Sequence, residues 1–174
     1  MFYGRNKDMQ TISAIVYTSG TGFTRRYAQM LSRASAIPNY DLGNPGFLPA
    51  DGVKILYLGW LCAGGIKGLS KARRRWHVQA VCAVGMAPDN DLKTLAEHNR
   101  VDCPLFYVQG GYAPDKLKGA NKLIMAFVTK LIAKAQAKQA KTPEDLEQLA
   151  LFRTGCDFVD EAKLAPVLSW LRQT

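Results

Sequence analysis

The residues best placed to do chemistry are Thr18-Ser19-Gly20-Thr21-Gly22-Phe23-Thr24, a run of hydroxyls and glycines without an acid. Ile15-Val16-Tyr17 precede it as a short apolar strand, and Tyr27, Met30, Leu31 and Ala34 follow at helical spacing. A strand that turns into a helix through such a loop can wrap backbone N–H groups around an anion, with the positive end of the helix dipole facing it. Glycine at 20 and 22 permits the unusual backbone angles and close approach that a cradle needs. The hydroxyls of Thr18, Ser19, Thr21 and Thr24 add donors. The chemistry indicated is recognition of a phosphate.

Three phosphate-loop patterns compete, beside a glycine-rich strand–helix turn that binds nothing. GxxxxGK[ST] fails, because no Lys-Ser or Lys-Thr follows the glycines. The dinucleotide pattern GxGxxG finds Gly20 and Gly22 but meets Arg25 at the third glycine; its acid, roughly twenty positions on, has a counterpart in Asp41. The third pattern fits without a gap. Ile15-Val16-Tyr17, Ser19, Gly22, Thr24, Ala28 and Leu31 resemble the FMN-phosphate signature of flavodoxins.

That resemblance implies FMN as cofactor, held at its phosphate by Ser19, Gly20, Thr21, Gly22, Phe23 and Thr24. Phe23 departs from the Asn common there, which removes one donor; Arg25 and Arg26 offset this electrostatically. It also implies that Trp60-Leu61-Cys62-Ala63-Gly64-Gly65 is a loop flanking the flavin ring, with Trp60 stacked on it, although Trp60 packing on a neighbouring helix is the plain alternative. The Gly64-Gly65 backbone would offer the flavin a carbonyl, and Gly85 and Met86 would line its other edge. Further on, Lys122-Leu123-Ile124-Met125 and Asp157-Phe158-Val159-Asp160 resemble a subgroup of flavodoxin-domain proteins that includes menaquinone-dependent protoporphyrinogen dehydrogenases. No catalytic nucleophile is required by such chemistry, since the flavin carries the electrons.

Composition narrows the partners. The chain has 174 residues, a length suited to one domain with a single good core. The first twelve residues lack an apolar signal core and read as a frayed leader. Four separated cysteines and two histidines argue against a zinc site and favour a reduced, cytoplasmic setting. The formal charge of +9 opposes the acidic character of a simple flavodoxin carrier. It points instead to an anionic substrate, an acidic redox partner or an anionic membrane face, with nucleic acid weakest because no aromatics interleave with the cations. Lys71, Arg73, Arg74 and Arg75 form a cationic run that is either a solvated face or a dock for an acidic protein. Each positive charge about 10 Å from a flavin favours its reduced state by roughly 0.4 kcal/mol, so the potential should be less negative than an acidic flavodoxin's.

The elements that must position these residues alternate along the chain. Strands are expected at 13–17, 39–42, 53–59, 79–84 and 104–109, and helices at 24–35, 67–76 and 91–100. The fold class is therefore α/β, a doubly wound five-stranded parallel sheet. From Lys116 to about Gln139, Leu117, Ala120, Leu123, Ile124, Phe127, Val128, Leu131 and Ile132 make an amphipathic helix with a lysine-rich complement. A helix capped by Thr142-Pro143 follows, within an insertion spanning 113–155, and a last helix opens at Asp160. The basic helix either docks on the domain or a second subunit, or lies on an anionic membrane at the cytoplasmic inner face. Three functions follow: an FMN-dependent oxidoreductase using a small molecule or quinone, an FMN electron carrier for an acidic protein, and a flavin-free binding module.

Overall fold

The computed structural model describes residues 11–116, 119, 130 and 154–174. The basic amphipathic helix, the helix after Thr142 and most of the expected leader lie outside these residues. Ile12, the last residue of the expected leader, is in the core at 5 % exposed.

The described chain runs β1 (Ala14–Tyr17), α1 (Phe23–Ser35), β2 (Asn39–Asp41), β3 (Lys54–Cys62), β4 (Gly65–Ile66), α2 (Leu69–Arg75), β5 (His77–Gly85), α3 (Leu92–Asn99), β6 (Leu105–Gln109), β7 (Gly111–Tyr112), β8 (Cys156–Asp157) and α4 (Ala165–Leu171). Five parallel strands lie in the order β2-β1-β3-β5-β6. Counted along the parallel strands alone this is 2-1-3-4-5, the flavodoxin-like doubly wound order.

Strand alternation explains why both faces are covered. Ile15, Tyr17, Leu56, Leu58, Ala80, Cys82 and Val84 meet Tyr27, Ala28 and Leu31 of α1 and Val167 of α4 on one side. Ala14, Val16, Ile55, Tyr57, Val81 and Ala83 meet Leu69 and Ala72 of α2 and Leu95 of α3 on the other. Central strands apolar on both faces are what a parallel sheet requires, because each crossover lays a helix over it. Burial pushes the Cys82 thiol up to about 12.

Three expectations change. First, Trp60, Leu61 and Cys62 do not begin a loop. They extend β3 into a tight antiparallel hairpin with β4, pairing Leu61 with Ile66 and Cys62 with Gly65. Ala63 and Gly64 both take positive φ, 49° and 77°, as a two-residue type I′ connection demands. Second, the 67–76 cationic run is not a uniform free face. Arg73 donates to the Asn99 and Arg100 carbonyls at 3.0 and 2.8 Å, closing the C-terminus of α3, and Arg75 pairs with Asp51. Third, Asp157 ends a short strand that lies outside the five-stranded sheet. β8 pairs antiparallel with β7 in a separate ribbon, and Asp160 then caps a short 3-10 turn by accepting from Ala162 N–H at 2.9 Å.

Candidate phosphate-binding site

The strand order reverses between β1 and β3, and ligands of open α/β sheets bind at the carboxyl ends of the strands at that point. The loop 18–22 leaves β1 there, beside the second half of β3. The register Tyr17 to Leu58 puts the start of the loop one strand spacing from the segment that carries Trp60.

Three side chains fix the loop. Thr18 does not turn its hydroxyl to the cradle: it donates to the Lys67 carbonyl at 2.8 Å and lies 3.1 Å from the Tyr57 hydroxyl. Tyr57, wholly buried, donates to the same carbonyl at 2.6 Å. Burial raises its pKa well above that of an ordinary phenol. Gly68, at φ +81°, makes room, since a β-carbon there would collide with the Tyr57 hydroxyl and approach Thr18 Cγ2 at 2.5 Å. Ser19 Oγ accepts from Gly22 N–H at 3.0 Å and, more weakly, from Arg25 N–H at 3.4 Å. It thus caps the first turn of α1, whose Ncap residue Gly22 has no side chain of its own to do so.

The two glycines have different surroundings. A β-carbon on Gly20 would lie 3.3 Å from the Trp60 indole, so Trp60 packs on the loop backbone itself, with Lys67 Nζ 5.8 Å from its ring centroid. Gly22, at φ +103°, has nothing within 4 Å of such a β-carbon. One side of the loop is roofed and the other is open.

Thr24 supplies the test of fit. It is 1 % exposed, the buried polar side chain of the described residues, and among them its hydroxyl has no hydrogen-bond partner. A buried hydroxyl left unpaired costs on the order of 1–3 kcal/mol, so it calls for an acceptor that is not protein. The N–H groups at the first turn of α1 lack intrahelical acceptors by construction, and Ser19 Oγ answers that of Arg25 but not those of Phe23 and Thr24. A phosphate seated on Gly22 would answer both needs, and the loop fits such a group.

The remaining expected site residues are placed as follows. Trp60 reaches the loop, whereas Cys62, Ala63, Gly64 and Gly65 lie at the far end of the hairpin. The Gly64 carbonyl accepts from Asn99 Nδ2 at 2.9 Å, and Asn99 Oδ1 accepts from Ile66 N–H at 2.7 Å. The hairpin tip is therefore clamped to α3. Gly85 ends β5 and Met86 follows it at the same sheet edge, where Gln109 Nε2 donates to the Met86 carbonyl at 3.1 Å and Tyr107 donates to the Ala87 carbonyl at 2.7 Å. A β-carbon on Gly85 would meet the Tyr107 hydroxyl at 2.5 Å. Arg25 and Asp41, the two residues weighed in the dinucleotide pattern, pair with each other at 3.0 Å.

Sequence reasoning missed Tyr57, Asn99 and the ribbon. A tyrosine inside an aliphatic strand is a signal, since its hydroxyl must find a partner when buried; the ribbon left none. Phe23 packs under it, with ring carbons 2.9 Å from where a Gly111 β-carbon would stand. Arg26 bonds Asp157, and Tyr27 donates to the Gln109 carbonyl at 2.6 Å while accepting from Asp160 N–H at 3.2 Å. Helix α1 thereby ties the loop to the ribbon.

No protein-family profile and no curated protein matches the chain. Among solved structures it is similar to a flavodoxin, WrbA-like protein from Agrobacterium tumefaciens, with 14 % identity, TM-score 0.37, and coverage of 66 % of this chain and 89 % of that one. A provisionally named flavoprotein from Bacteroides eggerthii DSM 20697 gives 14 % identity, TM-score 0.34, and coverage of 68 % and 95 %. Likenesses this loose assign no activity to the present chain; its fold class rests on its own strand order.

Proposed function

We propose that the chain binds a flavin by its phosphate, with FMN the minimal ligand, and works as an oxidoreductase on a small molecule or quinone. The observation that carries this reading is the unpartnered, buried Thr24 hydroxyl in the first turn of α1, two residues after the open Gly22. The flavin would supply the electron chemistry. The protein's part is to bind and orient: Ser19 shapes the loop, the backbone from Gly20 to Thr24 surrounds the phosphate, and Trp60 stands at the cradle's roofed side. The Gly64 carbonyl is already bonded to Asn99, which disfavours it as the flavin's hydrogen-bond acceptor. The formal charge of +9 supports an anionic substrate or an acidic partner over a low-potential carrier role.

The test is the visible spectrum of purified protein with and without added FMN, followed by titration of FMN fluorescence. Flavin bands near ~370 and ~450 nm, or saturable quenching, support the reading. A colourless protein that leaves FMN fluorescence unchanged refutes it. Turnover with a quinone separates enzyme from carrier, which would be reduced only through a partner protein.

A further inference from the structure

The loop's open side gives onto a cavity. Thr21, Gly22, Arg25 and Arg26 form one wall of a cavity of about 420 Å³, and Tyr112, Lys116 and Asp157 of the ribbon side form the other. A ligand ending at its phosphate would leave this space to water. We propose that the site takes a dinucleotide, with the cavity holding the adenosine-diphosphate half of a flavin ligand whose flavin side lies beyond Gly20. This rests on the flavin reading above and extends it to the ligand's second phosphate and nucleoside.

Size and chemistry of the lining select that class. Small-molecule sites commonly enclose some 300–1,000 Å³, so this one accommodates a nucleotide portion rather than a lone ion. Three cations and two carboxylates, Asp115 and Asp157, face the space. A bare phosphate or a carboxylate substrate has no use for carboxylate acceptors. A nucleoside diphosphate does: its phosphates take the Arg and Lys donors, while ribose hydroxyls and the adenine amine donate to the acids. Arg26 is held in place by Asp157, and Lys116 stands close enough to influence the Asp157 carboxylate. Gly22 is open toward the cavity, whereas a side chain there would stand between cradle and cavity.

The test measures riboflavin, FMN, FAD and ADP binding to the intact chain by calorimetry at low salt, and repeats FAD and FMN with Lys116→Glu. The expected result is FAD tighter than FMN by about tenfold or more, direct binding of ADP, and a FAD-to-FMN ratio narrowed by Lys116→Glu, which circular dichroism shows to be folded. FMN equal to or tighter than FAD overturns the inference while leaving the flavin reading intact. ADP binding without any flavin binding keeps the cavity assignment and sinks the flavin reading. Binding of neither ADP nor FAD overturns the inference.

Discussion

The Trp60 indole packs against the backbone of Gly20, with Cε2 3.3 Å and Cζ2 3.4 Å from the position of a β-carbon on that glycine. Loop and indole therefore share one boundary, and a change on either side must move the other. Gly20→Ala should push the indole away and weaken FMN binding, and Trp60→Ala should weaken it by removing the wall. Because the residues touch, the double variant should lose less than the sum, with a coupling of about 0.5–1.5 kcal/mol. Fluorescence titration of the four proteins measures it; strict additivity would show that the contact does not shape the site.

Tyr57 and Thr18 converge on the Lys67 carbonyl. Tyr57→Phe removes one of two donors to it and leaves Thr18 without its second contact. The expected loss is about 1–2 kcal/mol of stability, with weaker FMN binding because Thr18 starts the loop. Thermal melts and titration of the same variant check both; a variant with wild-type affinity would leave Tyr57 a purely structural residue.

Gly68→Ala should be worse. Its φ of +81° strains any side chain, and the new β-carbon meets the Tyr57 hydroxyl. Destabilisation of more than about 2 kcal/mol is expected, readable as a lowered denaturation midpoint, with partial rescue by Tyr57→Phe.

Asn99 makes three bonds, to the Gly64 carbonyl, Ile66 N–H and the Leu95 carbonyl. Asn99→Ala should cost about 1–3 kcal/mol and free the β3–β4 hairpin, seen as faster amide exchange at Cys62 and Ile66. Unchanged exchange would mean that strand pairing alone holds the tip.

Stability should fall at both ends of the pH scale. Burial raises the Cys82 thiol and the Tyr107 hydroxyl, each to about 12, and it also raises Cys103 and Tyr27. Raised acids contribute stability that is complete below their unfolded values and is lost above about pH 9 as the unfolded chain ionises first. On the acid side, desolvation of Asp157 is outweighed by the Arg26 bond, the Val159 N–H and the charges of Arg26 and Lys116 acting together, and Thr94 leads the groups holding Asp91 low. Depressed carboxylates contribute above their unfolded values, so their share disappears below about pH 4. The acid loss should be small, because Arg26 and Asp157 are 44 % and 52 % exposed. Denaturant titrations across pH check the profile; a plateau extending past pH 11 would contradict the burial of these groups.

The parallel sheet and the strand–loop–helix of β1 and α1 were legible in the sequence because both are written locally. Apolar runs alternating with helical periodicity define strands and crossovers, and Ser19 to Thr24 lie consecutively, so a strand–turn–helix reading places them without knowing the rest of the fold. The misreadings arose where pairing is nonlocal. Trp60, Leu61 and Cys62 look like a loop beside Gly64 and Gly65 until β3 folds back on β4. Arg73 looks like a surface cation until the end of α3 arrives beneath it, and the pairing of Tyr112 with Cys156 spans a long stretch of chain. What the sequence by itself determined was the order of elements and the glycine-bearing loop between β1 and α1, because propensity, periodicity and glycine conformation act over a few residues. Only the tertiary structure decided that Gly20 is roofed while Gly22 opens on a cavity, because those two environments are made by β3 and the β7–β8 ribbon, distant in the chain and joined by packing.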